Sequence, residues 1–192
     1  VLPLDDELRP VEGFGIDAVG DLQSREARGV LHKYEGRALL VATGSCAVHC
    51  RYCFRRHFPY GEETAAANGW RDSIAWLEQA TDIEEVLLSG GDPLSLSTTK
   101  LAELSDALRK IPHLKRLRIH TRLPVVLPAR VDAELLDWIA SLPWPVVMVI
   151  HANHAQELDQ EVANACAALS RHGARLYNQA VLLREVNDDV DA

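Results

Sequence analysis

Five short runs of β-branched and Leu-rich residues, each closed by polar residues and separated by stretches of helical spacing, limit what this chain can fold into. They are Ala38 to Thr43, Glu85 to Ser89, Leu117 to Thr121, Val146 to His151 and Leu176 to Leu183, the last interrupted by Asn178 and Gln179. Runs apolar on both faces read as buried parallel strands. Between them three apolar stripes recur at helical spacing: Leu101, Leu104, Leu108 and Ile111; Val131, Leu135 and Ile139; Leu158, Val162, Cys166 and Leu169. A further helix is expected over Trp70 to Ala80. Ser97, Thr98 and Thr99 offer N-caps before Leu101, and Gly173 stops the last stripe. The alternation predicts an α/β fold, either a doubly wound open sheet or a (β/α) barrel. A full eight-unit barrel takes about 250 residues, so 192 residues would hold part of one.

With 47% hydrophobic and 25% charged residues, the chain suits one core-bearing domain. The expected organisation is an irregular, acidic N-terminal arm over 1–30 that wraps a surface, then a core domain over 31–192 whose barrel is incomplete at its C-terminus. The chain starts at Val1 and stops in the acidic stretch Asn187 to Ala192, which resembles a helix start with no helix behind it; more protein is expected at both ends. A net charge of −8 and the lack of a Lys/Arg-rich run argue against nucleic-acid and membrane-surface partners. Val1 to Gly15 lacks the layout of a secretory signal and no apolar run is long enough to span a bilayer, so a cytoplasmic location is expected.

The chemistry concentrates in Gly44 to Arg56, directly after the first run, where Cys46, Cys50 and Cys53 stand in a Cys-x3-Cys-x2-Cys pattern. Three of four cysteines within eight positions do not form the paired framework of a disulfide-stapled protein. A [4Fe-4S] cluster normally takes four cysteines, so a loop supplying three leaves one iron open to an outside ligand. The plainer alternative is a zinc site completed by His49 or His57, in a binding module without catalysis. Cys166 sits on a helical stripe, where a free cysteine packs as a small hydrophobe.

Ser89-Gly90-Gly91-Asp92-Pro93 follows the second run. Its glycines would let a ligand approach the backbone, and Asp92 would repel phosphate and suit an ammonium group; an ordinary turn is the alternative. The third run ends in His120-Thr121-Arg122, the fourth in His151, and the fifth carries Asn178 and Gln179. In (β/α) barrels, polar residues at strand C-termini build the active site. His120 and His154 read as hydrogen-bonded structural residues. Arg51, Arg55, Arg56 and His57 form a basic group that could clamp a carboxylate or phosphate, or balance charge in a solvated loop.

The cysteine spacing, followed by an aromatic residue and arginines, resembles the radical S-adenosylmethionine (SAM) superfamily. With His32-Lys33-Tyr34 through Arg37, the run Cys53 to Tyr60, Leu117 to Pro124, and Asn178-Gln179 with Val181 to Arg184, nearly the whole chain resembles the lysine 2,3-aminomutase family. The wording Cys-Phe-Arg-Arg-His-Phe-Pro-Tyr is most similar to the branch serving (R)-β-lysylation of elongation factor P. The resemblance implies a partial TIM-type (β/α) barrel of the radical SAM kind and an isomerase. Such an enzyme converts (S)-α-lysine to (R)-β-lysine through a 5′-deoxyadenosyl radical and a pyridoxal phosphate (PLP)–lysine aldimine. Cys46, Cys50 and Cys53 would ligate the cluster, and Ser89, Gly90, Gly91, Asp92, His151 and Gln179 would lie at SAM. Arg55 would receive the carboxylate of lysine, and Arg37 would face PLP. None of Lys33, Lys100, Lys110 and Lys115 matches the family's PLP-bearing lysine, so no Schiff-base residue is assigned. Implied partners are lysine, elongation factor P with its separate ligase, and a reductant such as flavodoxin. A lysine 2,3-aminomutase of free-lysine catabolism is the other enzyme reading.

Overall fold

Seven strands hydrogen-bond in strict sequence order in a computed structural model that describes residues 2–190. They are β1 (Arg25–Ala27), β2 (Val30–Tyr34), β3 (Arg37–Thr43), β4 (Glu85–Gly90), β5 (Arg116–Thr121), β6 (Val146–Ile150) and β7 (Ala174–Asn178). The first three pair antiparallel and β3 through β7 pair parallel. Leu40, Leu88, Ile119, Met148 and Leu176 stand in register across the five parallel strands. The sheet is not closed, so this is a partial (β/α) barrel.

Helices fill the crossovers: α1 (Tyr60–Glu63) and α2 (Arg71–Gln79) after β3, α3 (Thr98–Leu108) after β4, α4 (Leu123–Val126) and α5 (Ala133–Ser141) after β5, and α6 (Gln160–Arg171) after β6. Their starts are fixed by side-chain caps. Ser97 accepts from the Lys100 amide at 3.3 Å, Asp132 from Leu135 at 2.8 Å and Asp159 from Val162 at 2.9 Å. Leu101, Leu104, Leu108, Leu135, Ile139, Val162 and Leu169 are buried and pack with Leu40, Leu88, Leu117, Ile119 and Met148 into one core. Cys166 packs against that core, as its stripe position suggested. Among the described residues no helix is long and apolar enough to cross a membrane.

Three features depart from the sequence reading. Two strands precede the five expected ones; β1 is only three residues long and β2 reads Val-Leu-His-Lys-Tyr, so neither shows an apolar run. The two turns around β2 rest on Gly29 and Gly36, both at φ +73°. The last strand spans Ala174–Asn178 rather than Leu176 to Leu183, because it starts as soon as Gly173 (φ +98°) ends α6. Leu182, inside the expected run, is 82% exposed. Finally, the short helix α4 was not foreseen; Arg122 and Pro124 give it no helical stripe. Of the acidic stretch expected to start a helix, Asp191 and Ala192 lie outside the described residues.

Candidate metal centre

Parallel strands place all their C-terminal ends at one rim of the sheet. There the segments following β3, β4, β5, β6 and β7 enclose a cavity of about 200 Å³. Its walls hold Cys46, Cys50 and Cys53, Arg55, Ser89, Gly90, Gly91 and Asp92, together with His120, Arg122, His151 and Gln179. Of the residues that the family resemblance assigned to the cluster, SAM, substrate and PLP, all but one are thereby brought together. The exception, Arg37, lines a neighbouring cavity of about 190 Å³ with Lys33, Tyr34 and Arg55; its guanidinium lies over the Tyr34 ring, 4.6 Å from the centroid.

What crowds the glycine pair is the end of β3, against Gly90, and the start of the cysteine loop, against Gly91. Gly91 donates to the Thr43 carbonyl and Asp92 to the Ser45 carbonyl, both at 2.7 Å. A Cβ on Gly91 would stand 2.3 Å from the Ser45 oxygen, and one on Gly90 (φ +112°) 2.7 Å from the Thr43 oxygen. Gly44 in turn has the Tyr60 side chain where a Cβ would be, its Cβ at 2.7 Å and its ring Cγ at 2.9 Å. The glycines thus fix the start of the cysteine loop against β4.

Asp92 is 5% exposed, and its carboxylate accepts four protein hydrogen bonds. Thr121 Oγ1 (2.6 Å) and the Leu94 amide (3.0 Å) donate to Oδ1; the amides of Arg122 (2.7 Å) and Leu123 (3.0 Å) donate to Oδ2. Four donors fill the acceptor capacity of a carboxylate. Burial raises its pKa, opposed by these donors. Asp92 therefore ties the β4 loop to the β5 terminus, where the sequence had suggested an ammonium partner.

The three cysteines are free and half-buried. Burial pushes the Cys46 thiol up to about 12, and the charges of Asp92, Cys53 and Cys50 push the same way. Thiolates here need a strong positive charge, which is what a bound metal group provides. Among the described residues no three His, Cys, Asp or Glu side chains converge closely enough to hold a single ion. His49 and His57, the proposed zinc ligands, are exposed. Three thiols lining one cavity are a donor set that suits a [4Fe-4S] cluster with one iron left for an outside ligand.

Arg55, 9% exposed, is held by buried Asp21 (Nε to Oδ2, 2.6 Å) and by Ser89 (Nη1 to Oγ, 3.1 Å). Lys33 also pairs with Asp21. The other two arginines of the loop are answered by the N-terminal segment: Arg51 pairs with Glu7, and Arg56 donates to the Glu7 carbonyl at 2.7 Å. On the opposite wall the His120 and His151 rings meet edge to face, with centroids 5.8 Å apart. Burial holds both pKa values down, to about 4, so both are neutral at pH 7. His120, read as structural, lines the cavity; His154 is structural, accepting from the Gln156 amide at 3.1 Å.

Sequence reasoning missed a chain of polar contacts behind Cys50. Arg122 Nη1 donates to Cys50 Sγ at 3.2 Å and Nη2 to Glu157 at 2.6 Å. Glu157 accepts from the Asn153 amide at 2.8 Å, and Asn153 donates to the Tyr52 hydroxyl. Only the position of Arg122 at a strand end hinted at this; Glu157 and Asn153 carry no local signal.

A family model described as a 4Fe-4S single cluster domain matches residues 34–121. The chain is 46% identical to the L-lysine 2,3-aminomutase of Haemophilus influenzae and 44% identical to that of Escherichia coli; each match covers 98% of this chain, and 56% and 55% of the relative. The enzyme of the same name from Clostridium subterminale is 39% identical over 84% of this chain and 39% of its own length. The chain spans about half the length of the curated relatives it matches.

Proposed function

Because this chain belongs to the lysine 2,3-aminomutase family, we propose that it carries the cluster-holding, SAM-cleaving site of a radical SAM aminomutase converting (S)-α-lysine to (R)-β-lysine. The observation that carries the reading is the cavity at the strand C-termini, walled by Cys46, Cys50 and Cys53. When bound, the cluster supplies the electron that cleaves SAM, and PLP holds the amino group that migrates.

The chain's own residues hold and orient. Cys46, Cys50 and Cys53 are the ligands, and the Gly90-Gly91 contact with the cysteine loop fixes their spacing to β4. Ser89, His151 and Gln179 are assigned to SAM, with His151 offering a neutral imidazole. Gly90, Gly91 and Asp92 shape that pocket through the loop contacts. Asp21 and Ser89 fix the plane of the Arg55 guanidinium, leaving Nη2 as the edge for a substrate carboxylate. Arg37 and Lys33 make the adjoining cavity suited to the phosphate of PLP. Lys100, Lys110 and Lys115 are exposed and Lys33 is paired with Asp21, so no Schiff-base lysine is assigned among them. The arm expected over 1–30 rests on the cysteine loop through the Glu7 contacts and ends in β1 and Val30 of β2, which join the sheet of the core domain.

The wording of Cys53 to Tyr60 supports the elongation factor P branch, with a separate ligase downstream, flavodoxin as the class of reductant and a cytoplasmic setting. Free-lysine catabolism would use the same residues, and the fate of the β-lysine separates the two. The direct test incubates anaerobically reconstituted protein with SAM, dithionite, PLP and L-lysine. 5′-Deoxyadenosine that disappears in Cys50→Ala is expected; a colourless zinc protein that leaves SAM intact would sink the proposal.

A further inference from the structure

Cys50 stands apart from the other two cysteines in its electrostatic surroundings. Arg122 Nη1 donates to its sulfur at 3.2 Å. Among the described residues no side-chain donor to Cys46 or Cys53 is recorded. Arg122 is 6% exposed and held at three points: its amide on Asp92 (2.7 Å), Nη2 on Glu157 (2.6 Å) and Nη1 on the sulfur. Glu157 is itself fixed by the Asn153 amide (2.8 Å), and Asn153 returns to Tyr52 through its side chain. These contacts hold the guanidinium against the Cys50 sulfur, and its burial leaves its charge poorly screened.

Hydrogen bonds to the sulfurs and nearby charge are the protein's means of setting an iron–sulfur reduction potential. Reduction adds one electron to the cluster and breaks no bond. The electron comes from an external low-potential reductant, and Arg122 keeps its proton throughout. A fixed N–H donor and positive charge at one ligand sulfur stabilise the reduced form more than the oxidised form.

We propose that Arg122 is a positioning residue that raises the reduction potential of the cluster through the Cys50 sulfur, with Glu157 holding it in place. The proposal rests on the cluster assignment made above. Because the Asp92 contact uses the backbone amide of Arg122, replacing the side chain leaves the loop-to-strand tie intact.

The test compares reconstituted wild type, Arg122→Gln, Arg122→Lys and Tyr52→Phe. Iron and sulfide are counted first; the reduced cluster is then titrated by electron paramagnetic resonance. In loaded Arg122→Gln the reduced-to-oxidised ratio at a fixed potential is expected to fall about tenfold, which for one electron is about 59 mV more negative. Arg122→Lys and Tyr52→Phe should shift less in the same direction. A proton coupling to the cluster that exchanges in D₂O should be present in wild type and weakened in Arg122→Gln. Loaded variants with unchanged potential and coupling overturn this inference while leaving the cluster assignment standing. A wild type that takes up no iron and sulfide overturns both.

Discussion

At the scale of single residues, the glycines and Asp92 show how one motif serves two readings. Ser89-Gly90-Gly91-Asp92 could be picked from the sequence because glycines and a carboxylate after a strand are unusual. That the crowding partner of Gly91 is the Ser45 carbonyl could not, since it depends on how two loops distant in sequence meet in space. Gly91→Ala must push the cysteine loop off β4, so iron uptake on reconstitution should fall severalfold while far-ultraviolet circular dichroism stays native-like. Asp92→Asn exchanges a four-fold acceptor for an amide with one oxygen and leaves buried N–H groups unpaired. Urea unfolding should show a loss of roughly 2–4 kcal/mol. The cysteines were legible because ligand spacing is local; Arg122 was not, because its partner Cys50 lies 72 positions away.

Among the elements, those with a strong period were read correctly except at two starts, since Val131 and Leu158 precede α5 and α6 and Leu158 is 51% exposed; β1 and β2, without a period, were missed. The stripe of α3 appeared as expected, and Leu101, fully buried in it, should cost about 2–5 kcal/mol on truncation to alanine, seen as a lower urea midpoint. By contrast β1 and β2 are set by two glycine turns and by pairing with β3, a tertiary cause with no apolar run to announce it. The shifted β7 has a similar origin. Its sequence Ala-Arg-Leu-Tyr-Asn is half polar, so the stretch looked stronger a few residues later. Asn178 then closes the strand by exchanging two hydrogen bonds with Ala152, at 2.9 and 3.0 Å.

Across the whole molecule, the parallel order of β3 to β7 delivers five loops to one rim, and their polar residues were legible as a set because each follows an apolar run. One consequence is pH dependence. His120 and His151 titrate near 4 when folded, against 6.5 for an unperturbed imidazole. Between these values the unfolded chain binds more protons, so stability falls as pH drops from 6.5 towards 4, and this contribution is complete above 6.5. The urea midpoint should drop between pH 7 and pH 5, and the drop should shrink in His120→Asn/His151→Asn.

Cys46, Cys50 and Cys53 are proposed to hold together one [4Fe-4S] cluster with an iron open to SAM. Iron and acid-labile sulfide analysis of the anaerobically reconstituted chain, with Mössbauer spectra taken before and after adding SAM, tests it most directly. About four irons and four sulfides per chain, with one iron site altered by SAM, are the predicted result. A single metal ion per chain, or a four-iron cluster indifferent to SAM, would contradict it.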